Sequence, residues 1–402
     1  MKIRPFTGNF TQQEAISDTA IKAAVEVLRS GRIHRYNTKG DELSEVALLE
    51  QEYAIWQGSK YCLACTSGGY AMSIALKAAG LKAGEPVLTN SFTLAPVPGA
   101  IVNAGGKPVF IEVTNNLVID LDDLESKIMS SEARFFLLSH MRGHIVDMDK
   151  LLAIVDANEL ILIEDCAHTM GAKWNGRKSG NFGLAACFST QTYKHINSGE
   201  GGLITSDDAE LMARATILSG SYMLYKKHGA SPDASVFSSI RLATPNYSGR
   251  FDNLRAAILR PQLAGLEKNI ERWNKRYRVI EKKLSEISNI YVPVRPQQEH
   301  YVGSSFQFLI NGISAEDALQ FIETNRDLGV ELKWFGNNEP VAFTSNHKSW
   351  LYIEVQPLPA TDRVLSGLFD IRIPLTFTQQ DCEHIANIIC ECALQFFQKG
   401  AA

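Results

Sequence analysis

Residues 189–208 read STQTYKHINSGEGGLITSDD, with Lys194 alone between an apolar run and a Gly-Glu-Gly-Gly turn. A lysine that is held still, partly desolvated and able to lose its proton can form a Schiff base. The plainer reading is a solvated loop charge. A pyridine-type cofactor would need three further things: an anion site for its phosphate, a carboxylate to keep the ring nitrogen protonated, and a wall for the ring. Thr66-Ser67-Gly68-Gly69 precedes a helical pattern. Small residues there let backbone N–H groups approach an anion, and the helix start adds partial positive charge. Ser189 offers a hydroxyl, and Asp165 leaves the apolar run LILI at a strand end. His168 follows Asp165 by three and shares its face if a helical turn begins there. Each signal has an ordinary alternative: a common turn before a helix, an N-cap aspartate, a satisfied histidine. It is their agreement that points to a cofactor site.

The elements that must position these residues follow from the apolar pattern. Residues 11–30 and 43–57 read as helices, stopped by Gly31 and Gly58. Strands are expected at KYCLAC, PVLT, PVFIEV, RFFLLSH, LILIEDC, LAACFST and GLITS, with helices after several of them, including 92–104 and MDKLLAIVDANE. The strands are continuously apolar rather than alternating, as in a sheet covered on both faces. Strand–helix alternation predicts a mostly parallel α/β sheet, whose ligands gather at the carboxyl ends of strands. After about residue 250 the character changes. One long helical pattern runs from FDNLRAAILRPQLAG onward, kinked or restarted at Pro261. A strand near SSFQFLI, a helix near 315–327, a strand near VELKWF and a final helix near 378–397 follow. The expectation is a large α/β domain over 1–250 and a smaller α+β domain over 251–402.

Bulk composition excludes several classes. The 402 residues are 45% hydrophobic and 21% charged, with a net charge of −4, so no global basic signal favours nucleic acid or an acidic membrane. Seven cysteines are too few and too scattered for a disulfide scaffold or a metal site; Cys62 and Cys65, and Cys390 and Cys392, read as buried thiols. The stretch MKIRPFTGNFTQQEA has no apolar signal core, and no run approaches membrane-spanning length. A soluble, cytoplasmic protein is expected.

With these residues in view, the chain resembles the DegT/DnrJ/EryC1/StrS sugar aminotransferase family of fold-type I pyridoxal-phosphate enzymes. Ser67-Gly68-Gly69-Tyr70-Ala71 is similar to the family's Ser-Gly-Thr-x-Ala turn, and Ser91-Phe92-Thr93 to its Ser-Phe-Thr segment. Similar too are His140-Met141-Arg142-Gly143, Glu164-Asp165-Cys166-Ala167-His168, and Phe188-Ser189 through Lys194 with Gly199-Glu200-Gly201-Gly202 downstream. Arg250, Ala256-Ala257 and Gln262-Leu263 match the domain junction. The resemblance implies the aspartate-aminotransferase-like fold, pyridoxal 5'-phosphate with a pyridoxamine phosphate form, and a homodimer with sites at the interface. It implies that Lys194 holds the cofactor and shuttles the proton, that Asp165 pairs with the ring nitrogen, and that His168 approaches the ring hydroxyl. Ser67, Gly68, Gly69 and Ser189 would hold the phosphate.

The chain departs from the pattern at three positions. Gly69 replaces a phosphate-binding threonine, Leu94 a ring-stacking aromatic, and Ser248 an asparagine that reaches a phosphate from the neighbouring subunit. Each change loosens cofactor binding by the order of one contact, about 0.5–1.5 kcal/mol. Arg142 is unusual at its position and could take a substrate carboxylate or phosphate, or form an ordinary surface ion pair. Lys333, Trp334 and Asn337-Asn338 are weaker substrate-side candidates. The implied reaction is ping-pong transfer of an amino group from glutamate or glutamine to an oxo-sugar, nucleotide-linked or not, or to a related cyclitol or sugar acid. A dehydratase using the same cofactor and a degenerate, non-catalytic member are the alternatives. Some family dehydratases carry histidine in place of the lysine; Lys194, with His195 beside it, favours transamination.

Overall fold

The computed structural model describes residues 3–400. A seven-stranded sheet forms the larger body, in the order Tyr61–Cys65, Gly202–Ser206, Ala185–Ser189, Ile161–Asp165, Phe135–Ser139, Pro86–Asn90, Lys107–Ile111. From Ala185–Ser189 to Lys107–Ile111 every pairing is parallel. Gly202–Ser206 runs antiparallel to both neighbours. Strands Phe135–Ser139 and Ala185–Ser189 are buried at every residue, which is why their apolar runs do not alternate. Register decides the location of the chemistry. Ser139 pairs with Asp165, and Asp165 with Cys187, so Ser139, Asp165 and Ser189 come out at one carboxyl edge.

Helix boundaries follow capping chemistry more closely than apolar spacing. The first helix is Asp18–Ser30 rather than 11–30, because the Ser17 hydroxyl accepts from the Ala20 N–H and starts it there. The helix expected over 92–104 is Pro96–Ala104, with proline in its first turn. Residues 91–95 are thereby left as a non-helical approach that lays Thr93 and Leu94 along the sheet edge. Helix Glu45–Gln57 is tied to strand Tyr61–Cys65 by a buried network. Arg35 donates to both Glu50 carboxylate oxygens at 3.0 and 2.9 Å, Glu50 also accepts from the Ala64 N–H, and His228 Nδ1 lies 2.8 Å from Arg35 Nη2. Burial opposes ionisation of Glu50, but Arg35 and His228 outweigh it and hold the carboxyl at about 2.

The long helix runs unbroken from Asn253 to Leu284 with Pro261 inside it. Packing on both sides offsets the lost backbone bond. Its first half contributes Leu259, Leu263 and Leu266 to the core against the large sheet. Its second half contributes Tyr277, Ile280 and Leu284 to a second core, which also contains Phe6 and Phe10 from the start of the chain. That second core covers an antiparallel sheet in the order Ile290–Tyr291, Ser305–Ile310, Leu368–Arg372, Lys333–Trp334. Helices Ala315–Asp327 and Gln379–Gly400 complete it. Among the described residues, no helix is long and apolar enough to cross a membrane.

Candidate active site

A cleft of ≈ 330 Å³ opens at the carboxyl edge of the large sheet. Ser67, Gly68, Gly69, Leu94, Arg142, Asp165, His168, Ser189 and Lys194, all singled out from the sequence, line it. At one end lies the amino end of helix Gly68–Ala78. Ser67 Oγ accepts from the Tyr70 N–H at 3.1 Å and the Ser67 carbonyl from the Ala71 N–H at 2.9 Å. Among the described residues the amides of Gly68 and Gly69 have no partner, so two donors and the helix dipole face the cleft. The cradle is tight at one glycine and roomy at the other. A Cβ on Gly68 would come 2.8 Å from Ser189 Cβ, whereas one on Gly69 meets only Pro96 Cβ at 3.7 Å.

Across the cleft floor, Asp165 is buried and oriented from both sides. Its Oδ2 accepts from Ser139 Oγ at 2.8 Å and its Oδ1 from the Ala167 N–H at 3.1 Å. Thr93 Oγ1 donates in turn to Ser139 Oγ at 2.9 Å. Neither Thr93 nor Ser139 had been given a role from sequence; the signal was that Ser139 ends a strand in RFFLLSH. The neighbouring Glu164 does structural work. It accepts from His140 Nε2 and from the amides of Gly180, Phe182 and Gly183, pinning the 180–183 turn under the strand.

Lys194 is half-buried, with Nζ 2.9 Å from His168 Nε2. Burial pulls its amine down to about 7; Asp165 opposes that, and Arg142, Arg372 and Lys333 reinforce it. Burial likewise keeps His168 neutral, well below the usual histidine range, with the Lys194 charge adding to the effect. The amine is therefore fixed by a neutral imidazole and loses its proton near neutrality. His195 turns away: Nε2 lies 3.1 Å from Ser304 Oγ, the ring meets Trp273 edge-on, and burial takes it down to about 3.

Pyridoxal phosphate fits this set. A phosphate can meet the free amides at Gly68 and Gly69, a ring nitrogen the oriented Asp165, and an aldehyde the Lys194 amine, with Leu94 in the wall between. Ser248 is not in the cleft. It is exposed, with φ +58°, and its Oγ accepts from Arg250 Nη2 at 2.7 Å.

On the substrate side Arg142 lines the cleft, as one of its two readings expects, whereas Lys333 and Trp334 do not. Arg142 adopts φ +55° in the turn Met141–Gly143 and is buried, not on the surface. Its Nη2 lies 2.9 Å from Asp370 Oδ2. Lys333 Nζ lies 3.4 Å from the same oxygen, and Gln307 Nε2 donates to Oδ1 at 2.7 Å. Burial works against the charge on Asp370, but Arg142, Lys333 and Gln307 outweigh it and hold the carboxyl below its usual range. Burial brings Lys333 down to about 8. Arg372, which sequence reading missed, also lines the cleft, with its guanidinium 3.5 Å from the centre of the Tyr193 ring. Trp334 lies outside the cleft: its indole N–H donates to the Ser366 carbonyl, and its ring belongs to the second core. With Asn337 and Lys333 it faces an adjoining cavity of ≈ 580 Å³.

Comparison with known proteins places this geometry. The "Pleiotropic regulatory protein" of Geobacillus stearothermophilus is 29% identical over 269 residues, 66% of this chain and 66% of that protein. The GDP-perosamine synthase of Caulobacter vibrioides is 32% identical over 245 residues, 60% of this chain and 62% of that protein. The matches thus span about two thirds or less of these curated relatives' lengths. The aminotransferase from Psychrobacter cryohalolentis superposes with a TM-score of 0.82 at 20% identity, covering 98% of this chain and 100% of that one, and shows the same fold-type I architecture. Residues 14–390 match the DegT/DnrJ/EryC1/StrS aminotransferase family, and the chain belongs to that family.

Proposed function

We propose that the protein is a pyridoxal-phosphate-dependent aminotransferase. In this reading it moves an amino group from glutamate or glutamine to an oxo-sugar, nucleotide-linked or free, in a biosynthetic pathway. The observation that carries this is the meeting in one cleft of a lysine held near pH 7, an oriented buried carboxylate and a helix start with two free amides. When bound, the cofactor supplies an electron sink for the carbanion left when a substrate loses a proton. The chain's own residues do the rest. Ser67, Ser189 and the Gly68 and Gly69 amides would hold the phosphate, and Leu94 would form part of the wall beside the ring. Asp165, fixed by Ser139 and the Ala167 amide, keeps the proton on the ring nitrogen, so the ring stays electron-withdrawing. Lys194 Nζ would take the proton from the substrate carbon that bears the nitrogen and return it to the carbon on the other side of that nitrogen; an amine near 7 is suited to both steps at neutral pH. His168 keeps the amine in place.

The reading includes a homodimer, with Ser248 of each protomer serving the other's cleft. Supporting this, Ser248 lies outside its own cleft, where Tyr222, Met223 and Tyr247 are exposed nearby. A cytoplasmic, membrane-free setting belongs to the same reading. The test is the visible absorbance of the cofactor-loaded protein on adding glutamate or glutamine. The expected result is loss of the band, with none in Lys194→Ala. Mass spectrometry of the acceptor product then separates an amine gained from water lost. A spectrum indifferent to both donors would reject transamination.

A further inference from the structure

We propose that the cleft contains a carboxylate subsite formed by Arg372 and Arg142, with Lys333 beside it on the adjoining cavity, and that the acceptor is therefore an acidic sugar rather than a neutral one. The inference rests on the aminotransferase reading and names its substrate class. Three cations, Arg142, Lys333 and Arg372, gather around one carboxylate, Asp370. Both oxygens of Asp370 are already used, one by Gln307 and the other by Arg142 and Lys333. Arg372 has no carboxylate within ion-pair distance among the described residues; it stacks on Tyr193 and lines the cleft. Arg142 is buried and, among the described residues, its Nε has no partner. The other charges lining the cleft and the adjoining cavity are Lys194, a cation when protonated, Asp165, which is turned to Ser139, Glu200 on the cleft, and Glu323, Arg326 and Glu331 on the cavity; among the described residues none of the three glutamates lies within ion-pair distance of Arg142, Lys333 or Arg372. A guanidinium that lines the cleft with no carboxylate paired to it is placed to take an anion, and it binds a carboxylate in a two-point fork.

Position selects where on the substrate that anion sits. Arg142 and Arg372 line the Lys194 cleft itself, while Lys333 lines the adjoining cavity, which shares Arg372, Tyr193 and Phe343 with the cleft. The anion therefore binds in the cleft that holds Lys194, not at the far end of a long ligand. In a ping-pong reaction donor and acceptor occupy the same cleft in turn. An amino-acid donor brings a carboxylate to Arg372, and a neutral acceptor would leave that guanidinium without an anion in the second half of every cycle. A hexuronate ring, with its carboxylate on the carbon outside the ring, meets that requirement.

The experiment is calorimetric titration of the cofactor-loaded protein with D-glucuronate and with D-glucose, which differ in charge at one carbon. Glucuronate is expected to bind at least about tenfold more tightly than glucose, as a charge-assisted fork implies. The gap should close in Arg372→Gln, narrow in Lys333→Gln, and be partly kept in Arg372→Lys. These positions are chosen because Arg142 holds buried Asp370, so its loss threatens folding. Equal binding of the two sugars, no binding of glucuronate, or a gap that survives Arg372→Gln would overturn the proposal. Titration with glutarate reads the donor's use of the subsite: glutarate weakened by Arg372→Gln while glucuronate does not bind would confine the subsite to the donor and overturn the acidic acceptor. The glutamate-driven absorbance change is scored separately. Its absence alongside intact sugar discrimination would reject transamination and leave the subsite standing.

Discussion

Restoring a side chain at Gly69 should tighten the cofactor site. Gly69 is the second residue of helix Gly68–Ala78, its φ is not left-handed, and an added Cβ meets only Pro96 Cβ at 3.7 Å. Gly69→Thr thus adds a hydroxyl beside two free amides at a position with room for a Cβ. One hydrogen bond to a charged phosphate contributes about 1.5 kcal/mol, at the lower end for charged acceptors, or roughly a tenfold lower Kd. The chain also loses backbone freedom when unfolded, which stabilises the fold by about 0.4–1 kcal/mol. Gly68→Ala is the opposing control, because its Cβ would lie 2.8 Å from Ser189 Cβ and must push that residue out of the cradle. The assay is absorbance titration of stripped protein with pyridoxal phosphate, alongside thermal melting without it. Tighter binding in Gly69→Thr and weaker binding in Gly68→Ala are expected. Unchanged affinity in both variants would mean that the phosphate does not sit at this helix start.

Other outcomes follow from the same geometry. Lys194 has a depressed amine, protonated below about 7 and neutral above it, so the rate at which stripped protein captures pyridoxal phosphate should rise to about pH 7 and then level; a rate still climbing near pH 10 would return Lys194 to ordinary behaviour. Ser139→Ala removes one donor from Asp165 Oδ2 and should slow the glutamate half-reaction by roughly tenfold with little change in melting temperature, the scale of one charge-assisted bond. Glu50→Gln breaks the buried pair with Arg35 and should cost about 3–5 kcal/mol in denaturant unfolding. The wild-type contribution of Glu50, whose folded value of about 2 lies below its ordinary 4.5, is complete above about pH 4.5 and is lost as pH falls toward 2; unfolding curves over that range read it.

How much of the site could be read in advance depended on distance along the chain. Asp165, Ser189 and Lys194 were legible because each stands at or just past the end of a continuous apolar strand, where parallel sheets collect their ligands. Gly68 and Gly69 were legible as a small-residue turn before a helix. Ser139 was recoverable only through register, since nothing local says that its strand lies beside the one carrying Asp165. Asp370 and Arg372 were not legible. Their strand, Leu368–Arg372, reads LFDIR, and an aspartate in its interior argues against a strand until Arg142, Lys333 and Gln307 are seen to satisfy it. Arg142 raised the right chemistry, but its partner comes from the other end of the chain. The helix boundaries at Asp18 and Pro96 were set by a serine cap and a proline, signals weaker than the apolar spacing that ran past them.

The central claim is that Lys194 is the residue that carries the cofactor, and it can be tested covalently. The purified protein, loaded with pyridoxal phosphate, is reduced with borohydride and digested, and its peptides are mapped by mass spectrometry. The account predicts one pyridoxyl-phosphate group on the peptide containing Lys194, and none in Lys194→Ala. A label on Lys333 or on any other lysine, or no label at all, would contradict it.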